Sequence, residues 1–518
     1  MSLFSSRLAS HRDAPGPEMT HDFEAADLFG RATRGVLWLS GVRVLDHVLG
    51  LAVKIVLARL LAPGDFGLVA MALVVTSFLR LFVDLGLTAA LVQRRDRIGD
   101  VERSTAFWLI AAVALLATGV LWPAAPLVAA FFAVPALSPV LRAMSVVLIL
   151  AVPETAYGSL LQRDLQFRLL ALRSIAATVV AGGISLALAT RGAGVWALVA
   201  YTMIGAGMRS TLLMLAGGWY PRLLFSPAVV GELWRFGRFQ MGAQFLNYVS
   251  RHFDNLLVGR FLGSAALGHY ALAYQGVALP FLHLSQPVAT VLFPAFCRIG
   301  DDRARLNRAY LAALQMLIAA TWPLGVLAAL LAPHVIPAVL GSKWAPVAPL
   351  FAILSLAAVF QSTTGVSSQL LKSVGAVRAV FRLQGLATAL LSIGIGVGLA
   401  WGIRGVALGV LAASALFLPF QINVVRRYFG ISGSELARQF ARGAASAGAA
   451  ALPWLVAALV HSGDLPIGLV VGNTLGSLVL VTATYRWLLG DAWRMGLRIL
   501  SLLGASWGRG RGDGPMEA

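Results

Sequence analysis

Residues 58–94 read ARLLAPGDFGLVAMALVVTSFLRLFVDLGLTAALVQR. A turn signal, LAPGDFG, separates two apolar runs, and the second, 66–92, carries only Arg80 and Asp84 as charges before Arg94 closes it. A helix crosses the hydrocarbon core of a bilayer with about 20 mostly apolar residues. The run is therefore long enough to span a membrane, and the segment before it, 36–61, is its antiparallel partner.

Working outward, windows of the same kind fall at 104–130, 137–161, 169–190, 194–216, 231–261, 266–296, 309–331, 346–371, 379–401, 405–425, 436–460 and 467–489. With the first two they make about fourteen spans, and the expected fold is an all-α integral membrane protein. Composition agrees: the chain is 58% hydrophobic and 12% charged with a mean hydropathy of +0.81, where soluble domains are about 25% charged. A soluble globular protein is excluded.

Lys and Arg number 41 against 22 Asp and Glu, a net charge of +19. In a soluble chain that would suggest nucleic acid; here it is explained by where the cations lie. Loops after even-numbered spans hold 21 of them, among them Arg94, Arg163, Arg173, Arg222, Arg298, Lys372 and Arg426, whereas loops after odd-numbered spans hold Arg191, Lys343 and Arg404. Basic loops stay on the cytoplasmic side, so both termini are expected there. Residues 1–34 read as a cytoplasmic tail without a signal-peptide core, and 491–518 as a second tail. The single cysteine, Cys297, is expected to be a small buried hydrophobe, since no disulfide or multi-cysteine metal site can be built from it.

The first span overlays the seventh at an offset of 201 residues: Gly41 on Gly242, Leu45 on Leu246, Val48 on Val249, Arg59 on Arg260, Gly67 on Gly268 and Ala70 on Ala271. A second echo sets LLQRDLQFR at 160–168 against LLKSVGAVR at 370–378. Duplication of an even number of spans gives parallel halves, a transporter pattern. The expected organisation is an N-lobe at 35–220, a C-lobe at 221–430 related to it by a pseudo-twofold axis, and an extra pair of spans at 431–490.

Charges within the membrane cost a few kcal/mol each by insertion scales, about 2.5–3.5, and usually face a hydrated path. Span 1 carries Arg43, Asp46, His47 and Lys54; span 2 carries Arg80 and Asp84; span 7 carries Asn247, Arg251, His252, Asp254 and Asn255. A cavity lined by the cations Arg80, Arg251, Lys54 and Arg43 suits a diphosphate, because Arg offers a planar fork to phosphate oxygens and Lys a compact charge. The acids Asp84, Asp254, Asp46 and Glu154 read as coupling groups or as partners of those cations. Arg80 with Asp84 at i, i+4 and Arg251 with Asp254 at i, i+3 can simply neutralise each other. Glu154, after Pro153, stands as the most isolated acid in the membrane. His47, His252, Asn247 and Asn255 read as polar cavity wall, with no metal spacing among them. The glycines of the G-x-x-x-G pairs Gly259/Gly263, Gly398/Gly402 and Gly405/Gly409 point to close helix packing. SIGIGVGLA at 392–400 lies inside a span with no strand before it, and no Walker A motif occurs, so no nucleotide, metal or other cofactor is expected.

Three segments carry a family resemblance: 58–94, with its Leu-x-Pro-x-Asp-Phe-Gly turn and its Asp-Leu-Gly-x-x-x-Ala-Leu-Val-Gln ending; LLQRDLQFRLLAL at 160–172; and GAGVWALVA at 192–200. Over roughly 35–430 the chain resembles the Wzx-type, WzxC-like polysaccharide-transport branch of the MOP exporter superfamily. The looser GSAALGHYALA stands for the turn in the second half. The resemblance implies a flippase, not an enzyme, that moves polyprenyl-pyrophosphate-linked oligosaccharide across the bacterial inner membrane by alternating access. Such units feed exopolysaccharide, capsule or lipopolysaccharide synthesis. Its expected partners are that anionic lipid, the bilayer and the polysaccharide polymerase and chain-length machinery, with no nucleic acid. The alternatives are an ion-coupled multidrug antiporter, which would favour an acidic cavity, and a membrane enzyme of polysaccharide assembly, which would favour a large polar outside loop.

Overall fold

A computed structural model describes residues 42, 44–84, 99–163, 167–216, 219–300, 302–461 and 466–488. The two tails, Arg43 and the basic residues 94, 95 and 97 lie outside these, as do the side chains of Asn247 and His283. The described residues form helices and turns without a strand. In chain order these are α1 (44–60), α2 (Pro63–Asp84), α3 (Asp100–Phe131), α4 (Leu137–Leu150), α5 (Val152–Arg163), α6 (Phe167–Thr190), α7 (Val195–Ala216) and α8 (Pro227–Ile299). They continue as α9 (Arg303–Leu340), α10 (Val347–Ser373), α11 (Val377–Gly398), α12 (Gly402–Phe429), α13 (Gly433–Val460) and α14 (Ile467–Leu488).

Among the described residues eleven stretches are long and apolar enough to cross a membrane, and one of them, Val377–Phe429, holds both α11 and α12. The protein is an all-α, multi-pass membrane protein. Its exposed side chains include Leu127, Phe381, Leu459 and Ile467, which lipid solvates and water would not.

Local chemistry sets the breaks. Gly263 has φ 83° inside α8 and divides it between the windows expected at 231–261 and 266–296; a side chain there would be strained. Asp302 caps α9, its Oδ1 accepting from the Arg305 N–H at 2.9 Å. Gly430 ends α12 in the left-handed region, its N–H donating to Arg426 O at 2.8 Å. Cys297 is exposed, contrary to the buried position expected for it: it stands in the last turn of α8.

α11 and α12 approach at backbone distance. A Cβ on Gly394 would lie 2.5 Å from Gly409 O, and one on Gly398 2.3 Å from Gly405 O. The close pairs thus face each other across the hairpin; Gly398 and Gly402, paired by spacing alone, flank its turn.

Two compact units interleave along the chain. Among the described residues, one takes those up to Leu57, Thr76–Ala124 and Leu141–Leu246; the other takes Ala58–Val75, Ala125–Val140 and those from Asn247 onward. These boundaries differ from the repeat boundary, because two short segments of the first repeat pack with the second.

That packing lies inside the second unit. Arg59, at the end of α1, donates through Nε to Val339 O and through Nη2 to Ala338 O, both at 2.7 Å. In return Lys343 Nζ donates to Arg59 O at 2.8 Å and Leu61 O at 2.7 Å, and Trp344 Nε1 donates to Ala58 O at 2.8 Å. The last carbonyls of a helix have no partner within it and favour cations. The C-termini of α1 and α9 therefore cap each other. This gives Lys343, one of the three exceptions to the charge alternation, a structural task.

The repeat shows again next to it. A Cβ on Gly67 would meet Ser264 O at 1.7 Å, and one on Gly268 would meet Pro63 O at 2.0 Å. Pro63 and Ser264 are themselves 201 residues apart, as Gly67 and Gly268 are, so the contact is its own counterpart under the repeat. Arg260, the counterpart of Arg59, lies over the Phe131 ring at 5.6 Å, at the end of α3.

Trp344 is fully buried, with Phe66 and His269 edge-on at 5.2 and 5.6 Å. Trp344→Ala should cost about 3–5 kcal/mol. Trp344→Phe, which keeps a ring and loses the bond to Ala58 O, should cost about 1 kcal/mol. Thermal unfolding in detergent reads the difference.

Candidate functional site: an arginine cluster around Glu154

The site is built on a helix break in the first unit. Pro153 has no N–H to continue a helix, and the chain turns at Ala151 between α4 and α5. In a regular helix the Glu154 N–H would reach Leu150 O. Here the Ser210 hydroxyl, from α7, is inserted between them: Glu154 N donates to Ser210 Oγ at 3.3 Å, and Ser210 Oγ donates to Leu150 O at 2.5 Å. An inserted side chain of this kind is a recognised cause of a kink. It fixes Glu154 in the first turn of α5, beside the residue that precedes Ser210 on α7.

That residue is Arg209. Its Nε stands 3.4 Å from Glu154 Oε2, Arg173 Nη1 of α6 stands 3.6 Å from Oε1, and Arg80 Nη2 of α2 stands 3.9 Å from Oε2. Arg173 Nη1 also donates to Arg209 O at 3.3 Å. Arg173 is deepest, its side chain 12% exposed against 50% for Arg80, and its Nε is buried without a hydrogen-bond partner. Every described ion pair of these arginines goes to Glu154. Glu154, expected to be isolated, is ringed by three arginines. Its partners come from three other helices, which no local reading of α5 brings near.

Asp46 of α1 does something else. Its two carboxylate oxygens accept from Ser174 Oγ and Thr178 Oγ1 of α6, each at 2.6 Å. Ser174 follows Arg173 directly, so Asp46 anchors the turn that presents the guanidinium. Asp46→Ala should lower stability by about 3–6 kcal/mol, the cost of two hydrogen bonds to a charged acceptor at about 1.5–3 each, with Asp46→Asn between it and wild type in thermal unfolding.

Asp254, Asn255, His252 and Arg251 belong to the second unit, whereas Lys54 belongs to the first. Asp254 Oδ2 accepts from the Tyr270 O–H at 3.0 Å and its Oδ1 accepts from the N–H of Asn255. Both of its carboxylate oxygens are thus engaged, one by a tyrosine and one by the backbone. Asn255 Oδ1 is buried without a partner. His252 lies 4.4 Å from the Tyr248 ring, whose hydroxyl donates to Val74 O. Lys54 is half-buried on α1 and Arg251 exposed on α8.

Sequence reading missed two of the three arginines. Arg209 lies inside the apolar sixth window, and Arg173 stands among the loop cations although it is six residues into α6.

Residues 56–349 match the family described as polysaccharide biosynthesis protein. The chain belongs to that family. The match takes in Arg80, Glu154, Arg173 and Arg209 as well as the Lys343 and Trp344 contacts. Over 402 residues the chain is 26% identical to the lipopolysaccharide biosynthesis protein WzxC of Escherichia coli K12, covering 76% of this chain and 80% of that one. It is 31% identical over 322 residues to the succinoglycan biosynthesis transport protein ExoT of Rhizobium meliloti, covering 62% and 65%. The fold is similar to that of a solved structure described as lipid II flippase MurJ, inward closed conformation, with a TM-score of 0.72 and 15% identity over 87% of this chain and 99% of that one.

Proposed function

We propose that the protein is a flippase that carries polyprenyl-pyrophosphate-linked oligosaccharide from the cytoplasmic to the outer leaflet of the bacterial inner membrane. It would supply exopolysaccharide, capsule or lipopolysaccharide synthesis. The observation that carries the reading is the arginine cluster: three guanidiniums around one carboxylate, all four on stretches long and apolar enough to cross a membrane, in a family of polysaccharide biosynthesis proteins. A guanidinium presents a planar fork to phosphate oxygens, and a charge held within a membrane marks a path.

In this reading Arg80, Arg173 and Arg209 hold the diphosphate while the prenyl chain stays in lipid. Arg251, Lys54 and Arg43 are further cations along the path, and His47, Asn247, His252 and Asn255 meet the sugars. Asp84 and Asp254 stand as the acids that balance or couple the movement. Fourteen spans, lobes at 35–220 and 221–430, alternating access between them and cytoplasmic termini complete it. The polymerase and chain-length machinery would take the product. An antiporter of cationic drugs would need acids to outnumber cations at its site, and the cluster has the opposite balance. The protein is a transporter and not an enzyme.

The test is reconstitution into liposomes with a lipid-linked oligosaccharide, scoring sugar exposure to an impermeant oxidant. Exposure faster than in empty liposomes supports flipping. Folded protein that gives no acceleration with several saccharides and an imposed ion gradient removes the reading.

A further inference from the structure

The cluster is short of negative charge and short of acceptors. Three guanidiniums offer about fifteen N–H donors, while one carboxylate has about four lone-pair sites. None of the contacts to Glu154, at 3.4, 3.6 and 3.9 Å, reaches the roughly 2.7–2.9 Å of a tight charge-assisted bond. The unpartnered, buried Nε of Arg173 shows the same deficit atom by atom. One carboxylate is shared loosely among three cations and matches none of them.

Its formal charge is telling. Three arginines and one glutamate leave two positive charges. A diphosphate esterified at both ends, to a prenyl chain and to a sugar, keeps one ionised oxygen on each phosphorus, about two negative charges near neutral pH. Cluster and headgroup neutralise each other if Glu154 stays ionised nearby. It has a place to stay: it sits in the first turn of α5, where the helix N-terminus favours a negative group once the guanidiniums turn away.

Resting on the flippase reading, we propose that Glu154 is a resident counter-anion: it holds Arg80, Arg173 and Arg209 when no substrate is bound and exchanges them with the diphosphate. Binding is then a swap of one anion for another, and release is driven by the return of the carboxylate. Without Glu154 three bare arginines would hold a diphosphate too firmly to let it go on the far side.

The experiment uses the full chain in detergent and three probes: farnesyl diphosphate, inorganic pyrophosphate and, as the uncharged control, farnesol. Glu154→Gln should bind both diphosphates at least about fivefold more tightly, the lower end of ordinary coupling between two sites, leave farnesol unchanged and slow sugar exposure in liposomes. Glu154→Asp keeps the charge and draws it away from the arginines; it should tighten diphosphate binding by a smaller factor, and decides the matter if the glutamine variant does not fold. Unchanged or weaker diphosphate binding by a folded variant overturns the exchange, as does an equal gain for farnesol. If wild type flips no saccharide while Glu154→Gln still gains affinity for diphosphate, the flippase reading fails and the exchange stands. Flipping by wild type with no gain in the variant is the reverse.

Discussion

Gly67→Ala should leave little folded protein in the membrane, and Gly268→Ala should do the same. A Cβ at position 67 would sit 1.7 Å from the carbonyl oxygen of Ser264 and 2.4 Å from its carbon, and one at 268 would sit 2.0 Å from Pro63 O. These are backbone atoms and cannot swing aside as a flexible side chain does. Overpacking a core by single methylenes costs about 1–3 kcal/mol, occasionally more, and here the only relief is to part the segments that carry the α1–α9 capping bonds. Fluorescence-detected size exclusion and thermal unfolding measure the loss. A side-chain rescue separates this from an ordinary packing defect: Ser264→Gly should not restore Gly67→Ala, because the clash is with the peptide. Full recovery by that second change would mean the approach is mediated by the serine side chain. Normal stability of Gly67→Ala alone would mean the contact is not this close.

The same glycines show how much was legible in the sequence. The 201-residue offset pairs Gly67 with Gly268 because each sits at the same turn of its repeat, and in the structure each one receives the other repeat's turn. The helices follow their apolar windows because a bilayer leaves a span little freedom: every backbone group must be bonded within the helix. Gly263, between two windows, breaks α8 where they predict a turn. What stayed hidden is what depends on three-dimensional neighbours. Glu154 looks solitary along the chain because its partners stand on α2, α6 and α7. Arg209 is masked by the apolar residues around it. Arg173 is six residues inside α6, near a boundary that hydropathy locates only to within a few residues. The reciprocal caps of α1 and α9 were equally invisible, since an Arg or Lys near a helix end reads as a topology signal until the carbonyls it serves are seen.

Arg209→Ala should lower the rate of saccharide flipping about ten- to a hundredfold, the equivalent of one hydrogen-bonded charge partner at 1.5–3 kcal/mol. Arg209 is the nearest of the three to Glu154, at 3.4 Å, and it adjoins Ser210, which holds the α4–α5 break open. Its removal takes away one fork for the phosphate oxygens and halves the net positive charge of the cluster. Arg209→Lys retains the charge and loses the fork, so it should fall between. The thermal midpoint should move little, because the guanidinium is partly exposed and its bonds are long; a collapse in stability would show that the residue acts on folding and not on substrate. The sharper result is the double variant. Arg209→Ala with Glu154→Gln has two arginines and no acid, and so returns to the two positive charges of the parent cluster. If charge match governs binding, farnesyl diphosphate affinity should recover to near wild type while flipping recovers less, since the returning carboxylate that drives release is gone. If the fork of Arg209 governs it, the double variant binds farnesyl diphosphate no better than Arg209→Ala alone, and flipping falls below that of either single variant.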